Sequence, residues 1–364
     1  VNYLPIFLAF STLAMAQSAK QKAIEPLKSA ENLIIVTLDG LRWQEFYGGA
    51  DSALLFNQAY TRHIDETAKA YWAPTSEARR ALLMPFTWNT LVPMGNAYGY
   101  RPNGNFVDNA NPHWFSYPGY NETFTGYPDP AVNSNDKVNN KHVNVLEVVN
   151  ATPGFEGQVA AFTSWDAFDA ILNSDRNGMM VSSGFDRTKK PDAVLQFLDD
   201  IQFSSPAPLG ESVRPDYLTF QFAKAYLNAY RPKVLYLGLD ETDDYAHRGE
   251  YDNYLYLAQQ TDRWIRDLWT SIQALPQYAG KTALIISTDH GRGDAIKSEW
   301  KDHGSDVADA SEMWFYLYQP GMKSEGVVQT DQQLYQAQLA QTIARMLGIT
   351  YAPNHPTHPA VVLR

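Results

Sequence analysis

The chain contains no cysteine, and that absence removes disulfides, thiolate nucleophiles and thiolate metal ligands together. Positive charge is also scarce: 29 Lys and Arg against 40 Asp and Glu give a formal net charge of -11. A nucleic-acid polymer is therefore not an expected partner, because phosphate backbones are neutralised by an excess of Lys and Arg. A small phosphate ester stays open, since bound divalent ions can reverse the field inside one pocket. Internal repeats and low-complexity segments are missing too, and nothing in the sequence sets an oligomeric state.

What is present describes a globular protein. The 364 residues, 45% hydrophobic and 19% charged, suit one large α/β domain carrying a sizeable insertion. Residues 1–16, VNYLPIFLAFSTLAMA, form an apolar run too short for a comfortable membrane span, and Ala14-Met15-Ala16 has the small-x-small form of a signal-peptidase site. Export to the periplasm or the extracellular space is expected, with cleavage near Ala16, a catalytic domain over 22–364 and no stable membrane insertion afterwards. No Lys or Arg precedes the run, so a retained anchor is the alternative.

Three apolar β-type runs stop at acids. Leu33 to Leu38 runs into Asp39-Gly40, Val234 to Leu239 into a turn with Asp240, Asp243 and His247, and Ala283 to Ile286 into Asp289 and His290. The segment WKDHG adds His303. Between the runs lie helical patterns, notably Asp192 to Ile201, Asp216 to Tyr230, Tyr251 to Leu275 and Gln332 to Leu347. This alternation predicts a mostly parallel central sheet with helices on both faces, and a functional site at the C-terminal ends of its strands. Pro93 to about His142, rich in Asn, Gly, Pro and Tyr, has no periodicity and is expected to be a loop-rich cap insertion over that site. Thr75 reads as the cap of a helix over Thr75 to Phe86, where free N–H groups favour an anion. Carboxylates and imidazoles in this number suit zinc, one ion or two, and hydrolysis of a charged ester.

Taken in order, VTLDG at 36–40, the helix-start Thr75, the Asp-x-x-x-His of Asp243 and His247, TDHG at 288–291 and DHG at 302–304 resemble the alkaline phosphatase superfamily, in its nucleotide pyrophosphatase/phosphodiesterase branch. The resemblance implies an alkaline phosphatase-like fold and a two-metal hydrolase of phosphoric esters, most readily with two Zn²⁺, acting on a small phosphate-ester substrate. It implies Asp39, Thr75, Asp289 and His290 around one ion and Asp243, His247 and His303 around the other. Thr75 would be the nucleophile of a phospho-threonine intermediate. Its register follows a sulfatase pattern, nucleophile-x-x-x-Arg-x-x-Leu-Leu, matched by Arg79, Leu82 and Leu83; Ser76 is the alternative, one residue out of register. Asn96, twenty-one residues beyond Thr75, matches the Asn that hydrogen-bonds a phosphoryl oxygen. The chain departs from the pattern where the phosphodiesterases carry Thr-Gly near the end of the nucleophile helix: here stand Met84-Pro85. A sulfatase is disfavoured, since Thr at position 75 cannot become formylglycine. An inactive metal- or carbohydrate-binding protein on the same fold and an intracellular phosphosugar mutase are the alternative functions.

Overall fold

Seven consecutive buried residues, Asn32–Leu38, form strand β1 of the computed structural model, which describes residues 27–364. The apolar run over 1–16 and its cleavage site lie outside the described residues. Among the described residues no helix is long and apolar enough to cross a membrane. Further strands are β2 (Asn96–Tyr98), β3 (Asn105–Asp108), β4 (Val159–Thr163), β5 (Met180–Ser183), β6 (Val234–Leu239), β7 (Thr282–Ser287), β8 (Phe315–Tyr318), β9 (Gly326–Val327) and β10 (Gln332–Tyr335). They make an eight-stranded sheet in the order β5-β4-β6-β1-β7-β8-β2-β9 and a separate pair, β10-β3.

From β5 to β7 every pairing is parallel, while β8 runs antiparallel to β7 and to β2. Strands buried on both faces need apolar side chains at every position, which is why β1, β6 and β7 read as continuous hydrophobic runs. Alternate residues of β1 serve opposite cores: Ile34, Val36 and Leu38 pack on one side, Leu33 and Ile35 on the other. Helices cover both faces, giving the layered α/β architecture expected.

Register decides where the acids fall. Leu38 pairs with Leu239 and Thr37 with Ser287, so the three central strands end level with one another. The residues that follow them, Asp39, Asp240 and Asp289, emerge along one C-terminal edge.

The segment over 93–142 differs from the loop-rich cap expected of it. It places β2 in the main sheet, β3 in the small one, and a ten-residue helix, Ser116–Thr125, whose residues are all buried. Pro, Gly, Asn and Thr are poor helix formers, so intrinsic propensity points to loop; burial against the sheet overrides it. Pro118 lies in the first turn, where its missing N–H is not required. Gly119 is demanded by contact, since a Cβ there would sit 2.4 Å from the carbonyl oxygen of Asp289. Gly126, at φ 69, closes the helix in a left-handed conformation that suits glycine. A second difference lies near the C-terminus, where Gln332–Tyr335 is strand β10 and the last helix begins only at Gln338.

Gly119→Ala is expected to lower stability by about 1–3 kcal/mol, because the added methyl meets backbone that cannot turn aside. Urea unfolding measures it, and an unchanged midpoint would show that the helix is free to retreat from β7.

Candidate metal centre

Asp39, directly after β1, is fully buried and held from two sides. Its Oδ2 accepts from the Tyr120 hydroxyl at 3.0 Å, and its Oδ1 lies 3.3 Å from His290 Nε2. Asp289, just beyond β7, accepts from Gly40 N through Oδ1 at 3.0 Å and turns Oδ2 toward His290 Nε2 at 3.4 Å. The third carboxylate comes from the helix Glu241–His247, where Asp243 and His247 are four residues apart and share a face. Asp243 Oδ2 is 3.1 Å from His247 Nε2, and its Oδ1 is 3.5 Å from His303 Nε2 and 3.8 Å from His290 Nε2. His247 and His303 bring their Nε2 atoms to 3.0 Å. Candidate ligand atoms lie within 4.8 Å of one another in two overlapping groups: Asp39, Asp289 and His290, then Asp243, His290 and His303.

Charge in this cluster is out of balance. Burial, with Asp289 and Asp243 close by, drives the Asp39 carboxyl well above its ordinary range. His290 resists its own burial and is raised to about 9 by Asp289, Asp39 and Asp243. Burial opposes ionisation of Asp243 as well, yet Arg292, His303 and His247 together hold it well below the usual carboxylate value. Two buried polar atoms of the cluster have no hydrogen-bond partner: Asp289 Oδ2 and His303 Nδ1. Three converging carboxylates, three imidazoles and an orphaned carboxylate oxygen fit divalent cations, which would supply the missing positive charge.

Arg292 does not face a substrate. Its guanidinium is buried, donates to the carbonyl oxygens of Trp300 (2.8 Å from Nε) and Lys301, and pairs with Asp243, thereby stapling the loop that carries His303 onto the metal-facing helix. Asp240 belongs to neither ligand group.

Six of the eight residues expected at the site, Asp39, Asp243, His247, Asp289, His290 and His303, are thus brought together. Thr75 is not among them. It is exposed at the N-cap of the helix Ser76–Leu83, with its hydroxyl accepting from Ala78 N at 3.2 Å, and Ser76 beside it accepts from Arg79. Asn96 is also elsewhere. It pairs with Leu317, itself opposite Ile285, so it stands two strands from β7 and four residues below Asp289, roughly 10 Å across and 13 Å down. Its amide is spent on Tyr98 and Glu325 N.

The aliphatic hydroxyl that reaches the cluster side chains, beside the Tyr120 phenol, is Ser116, at the start of the buried helix, with Oγ 3.4 Å from both Asp39 Oδ1 and His290 Nε2. Phe115 offers no side-chain cap, and the positive end of that helix, with the Ser116 N–H at its tip, suits an anion. Asn135, exposed at the mouth, accepts from Tyr117 N at 3.0 Å and stands at the same helix end. One signal in the sequence pointed here: the Thr-Gly pair missing after Thr75 occurs as Thr125-Gly126, closing the helix that Ser116 begins.

No family model matches the chain, and no curated protein matches it. Solved structures do. Alkaline phosphatase PafA superposes with a TM-score of 0.61 at 10% identity, covering 92% of this chain and 99% of that one. A 2-O GAG sulfatase gives 0.55 at 12% identity, covering 89% of this chain and 72% of that one. The lipoteichoic acid synthase LtaP from Listeria monocytogenes gives 0.54 at 12% identity, with 88% and 72% covered. The fold is alkaline phosphatase-like.

Elemental analysis of the purified chain is expected to find about two divalent ions, as two-metal hydrolytic sites hold. His303→Ala should lower the content by about one ion while leaving the fold intact by circular dichroism, and a native content near zero would overturn the metal assignment.

Proposed function

We propose that the protein is an exported two-metal hydrolase of phosphoric esters, phosphatase or phosphodiesterase, in which Ser116 rather than Thr75 is the nucleophile. One observation carries the reading: a serine hydroxyl at a helix start lies 3.4 Å from both Asp39 and His290, which belong to the only two ligand groups found among the described residues. Export rests on residues 1–16 alone.

The residues divide the work in a simple way. Asp39, Asp289 and His290 would hold one ion and Asp243, His247 and His303 the other, with zinc favoured by the imidazoles. When bound, such ions lower the pKa of a nucleophile and neutralise charge on phosphoryl oxygens. Ser116 Oγ loses its proton and attacks phosphorus in line; the ester P–O bond breaks, and the leaving alcohol departs with a proton from solvent. Water then cleaves the phosphoserine. The Ser116 N–H, joined by the Asn135 side-chain amide held at the same helix end, is positioned to donate to phosphoryl oxygens, the role expected of Asn96.

A serine at this position also keeps a sulfatase in view, since serine, unlike threonine, can be oxidised to formylglycine. The arginine that sulfatases carry four residues beyond the nucleophile is here Tyr120, whose hydroxyl donates to Asp39, and the imidazole-rich ligand set favours zinc. Phosphoryl transfer is the better-supported chemistry.

The test uses p-nitrophenyl phosphate, bis-p-nitrophenyl phosphate and p-nitrophenyl sulfate side by side, with and without chelator. Ser116→Ala is expected to reduce phosphate-ester turnover by roughly 10³-fold or more, while Thr75→Ala stays near the wild-type rate and loses only a cap worth about 1 kcal/mol. Preferred hydrolysis of the sulfate, with mass spectrometry showing Ser116 oxidised, would replace this reading with the sulfatase. No turnover on any of the three would favour a binding protein on the same fold.

A further inference from the structure

Glu122, one and a half turns beyond Ser116 on the same helix, is fully buried and has no cationic partner among the described residues. Its carboxylate instead collects backbone and amide donors. Oε1 accepts from Ala110 N at 2.8 Å and Ala337 N at 3.0 Å, and Oε2 from Asn111 N and Asn111 Nδ2, each at 2.8 Å. Such a concentration of N–H donors on one carboxylate is a strong clamp, because charge-assisted hydrogen bonds are shorter and stronger than neutral ones.

What it clamps leads directly to the nucleophile. Asn111, doubly bonded to Glu122, uses its own Oδ1 to accept from His113 N at 2.9 Å and Trp114 N at 3.1 Å. Trp114 has φ 53, a left-handed conformation that is an outlier for a bulky side chain and relaxes unless its surroundings over-determine it. Ser116 follows two residues later. Asn109, on the other side, donates to the carbonyl oxygen of Asp289 at 2.9 Å, so the same loop is registered against a metal-facing strand end.

We infer that Glu122 is a positioning residue: through Asn111 it holds the strained turn at Trp114, and thereby fixes Ser116 Oγ in line with the metal cluster. The inference rests on the reading of Ser116 as nucleophile. Glu122 belongs to neither candidate ligand group. Replacing it with glutamine presents an NH₂ group to N–H donors that need an acceptor, which releases the loop 109–115 while keeping side-chain volume.

The discriminating probes are inorganic phosphate, which forms no bond to the nucleophile oxygen, and orthovanadate, whose five-coordinate form is favoured by bonding to a correctly placed one. Affinities for both are measured by calorimetry on the full, metal-loaded chain, beside kcat and KM for p-nitrophenyl phosphate. Glu122→Gln is expected to lower kcat by about 10²-fold, the cost of an ångström-scale misplacement, with KM and phosphate affinity little changed and vanadate affinity lost. Asn111→Ala, which removes the acceptor for Trp114 N, should give the same split and serves if Glu122→Gln fails to fold. Equal weakening of phosphate and vanadate, or no change in either, overturns the inference. Ser116→Ala separates the two levels: if it loses vanadate binding and Glu122→Gln does not, only the role of Glu122 falls. If Ser116→Ala binds vanadate as well as the wild type, the nucleophile reading falls and this inference with it.

Discussion

Mutual repulsion among Asp39, Asp243 and Asp289 is the constraint around which the molecule is arranged. Two like charges 4.8 Å apart, the upper limit for Asp39 and Asp289, repel by about 3–4 kcal/mol at an effective dielectric near 20, a large part of a domain's net stability. Opposing charge at close range comes from His290, Arg292 and the imidazoles beside Asp243, and Arg292 is committed to Asp243 and the His303 loop. The strand order makes this concentration unavoidable: in-register neighbours deliver acids to one edge whether or not a counter-ion is present. Bound divalent cations would resolve the imbalance by supplying the missing positive charge.

Around this cluster the remaining elements act as supports. The helix bearing Asp243 and His247 is tied to the His303 loop by Arg292, and the helix bearing Ser116 is pressed onto the end of β7 through Gly119. Tyr120 spans the two parts, since it belongs to the Ser116 helix and donates to Asp39. The nucleophile candidate and the candidate ligand residues are therefore tied together by direct contacts. Preorganisation of this kind matters most where stabilisation is electrostatic, because fixed groups need no reorganisation as charge shifts.

The cluster of carboxylates and imidazoles was legible in the sequence and the proposed nucleophile, Ser116, was not, for a physical reason. Asp39, Asp289 and His290 follow apolar runs whose length and lack of alternation mark buried parallel strands, and Asp243 with His247 shows helical spacing; such signals are local. Ser116 gives no such signal, because its helix is made of residues selected for close approach to β7 and for tertiary hydrogen bonds. Thr75 drew the assignment because a helix cap is also a local pattern, and it is in fact a cap. Asn96 then followed from Thr75 by counting, so its misplacement is the same error carried forward. The strands β2, β3, β9 and β10, two to four residues each, are too short for periodicity to register, and β10 was absorbed into the helix after it.

The position of β1 in the sheet also sets an order of events. Leu33 is flanked by Val234 on one side and Ala283 on the other, so the first strand of the fold gains its neighbours only after some two hundred further residues have been supplied. By contrast β4 and β5, close in sequence, pair at small loop-closure cost. Folding dominated by such distant pairings is slow, and the early part of the chain waits as an unpaired apolar segment. A polypeptide built in this way remains extended for longer than one with local contacts, a condition compatible with threading through a narrow passage before the sheet closes.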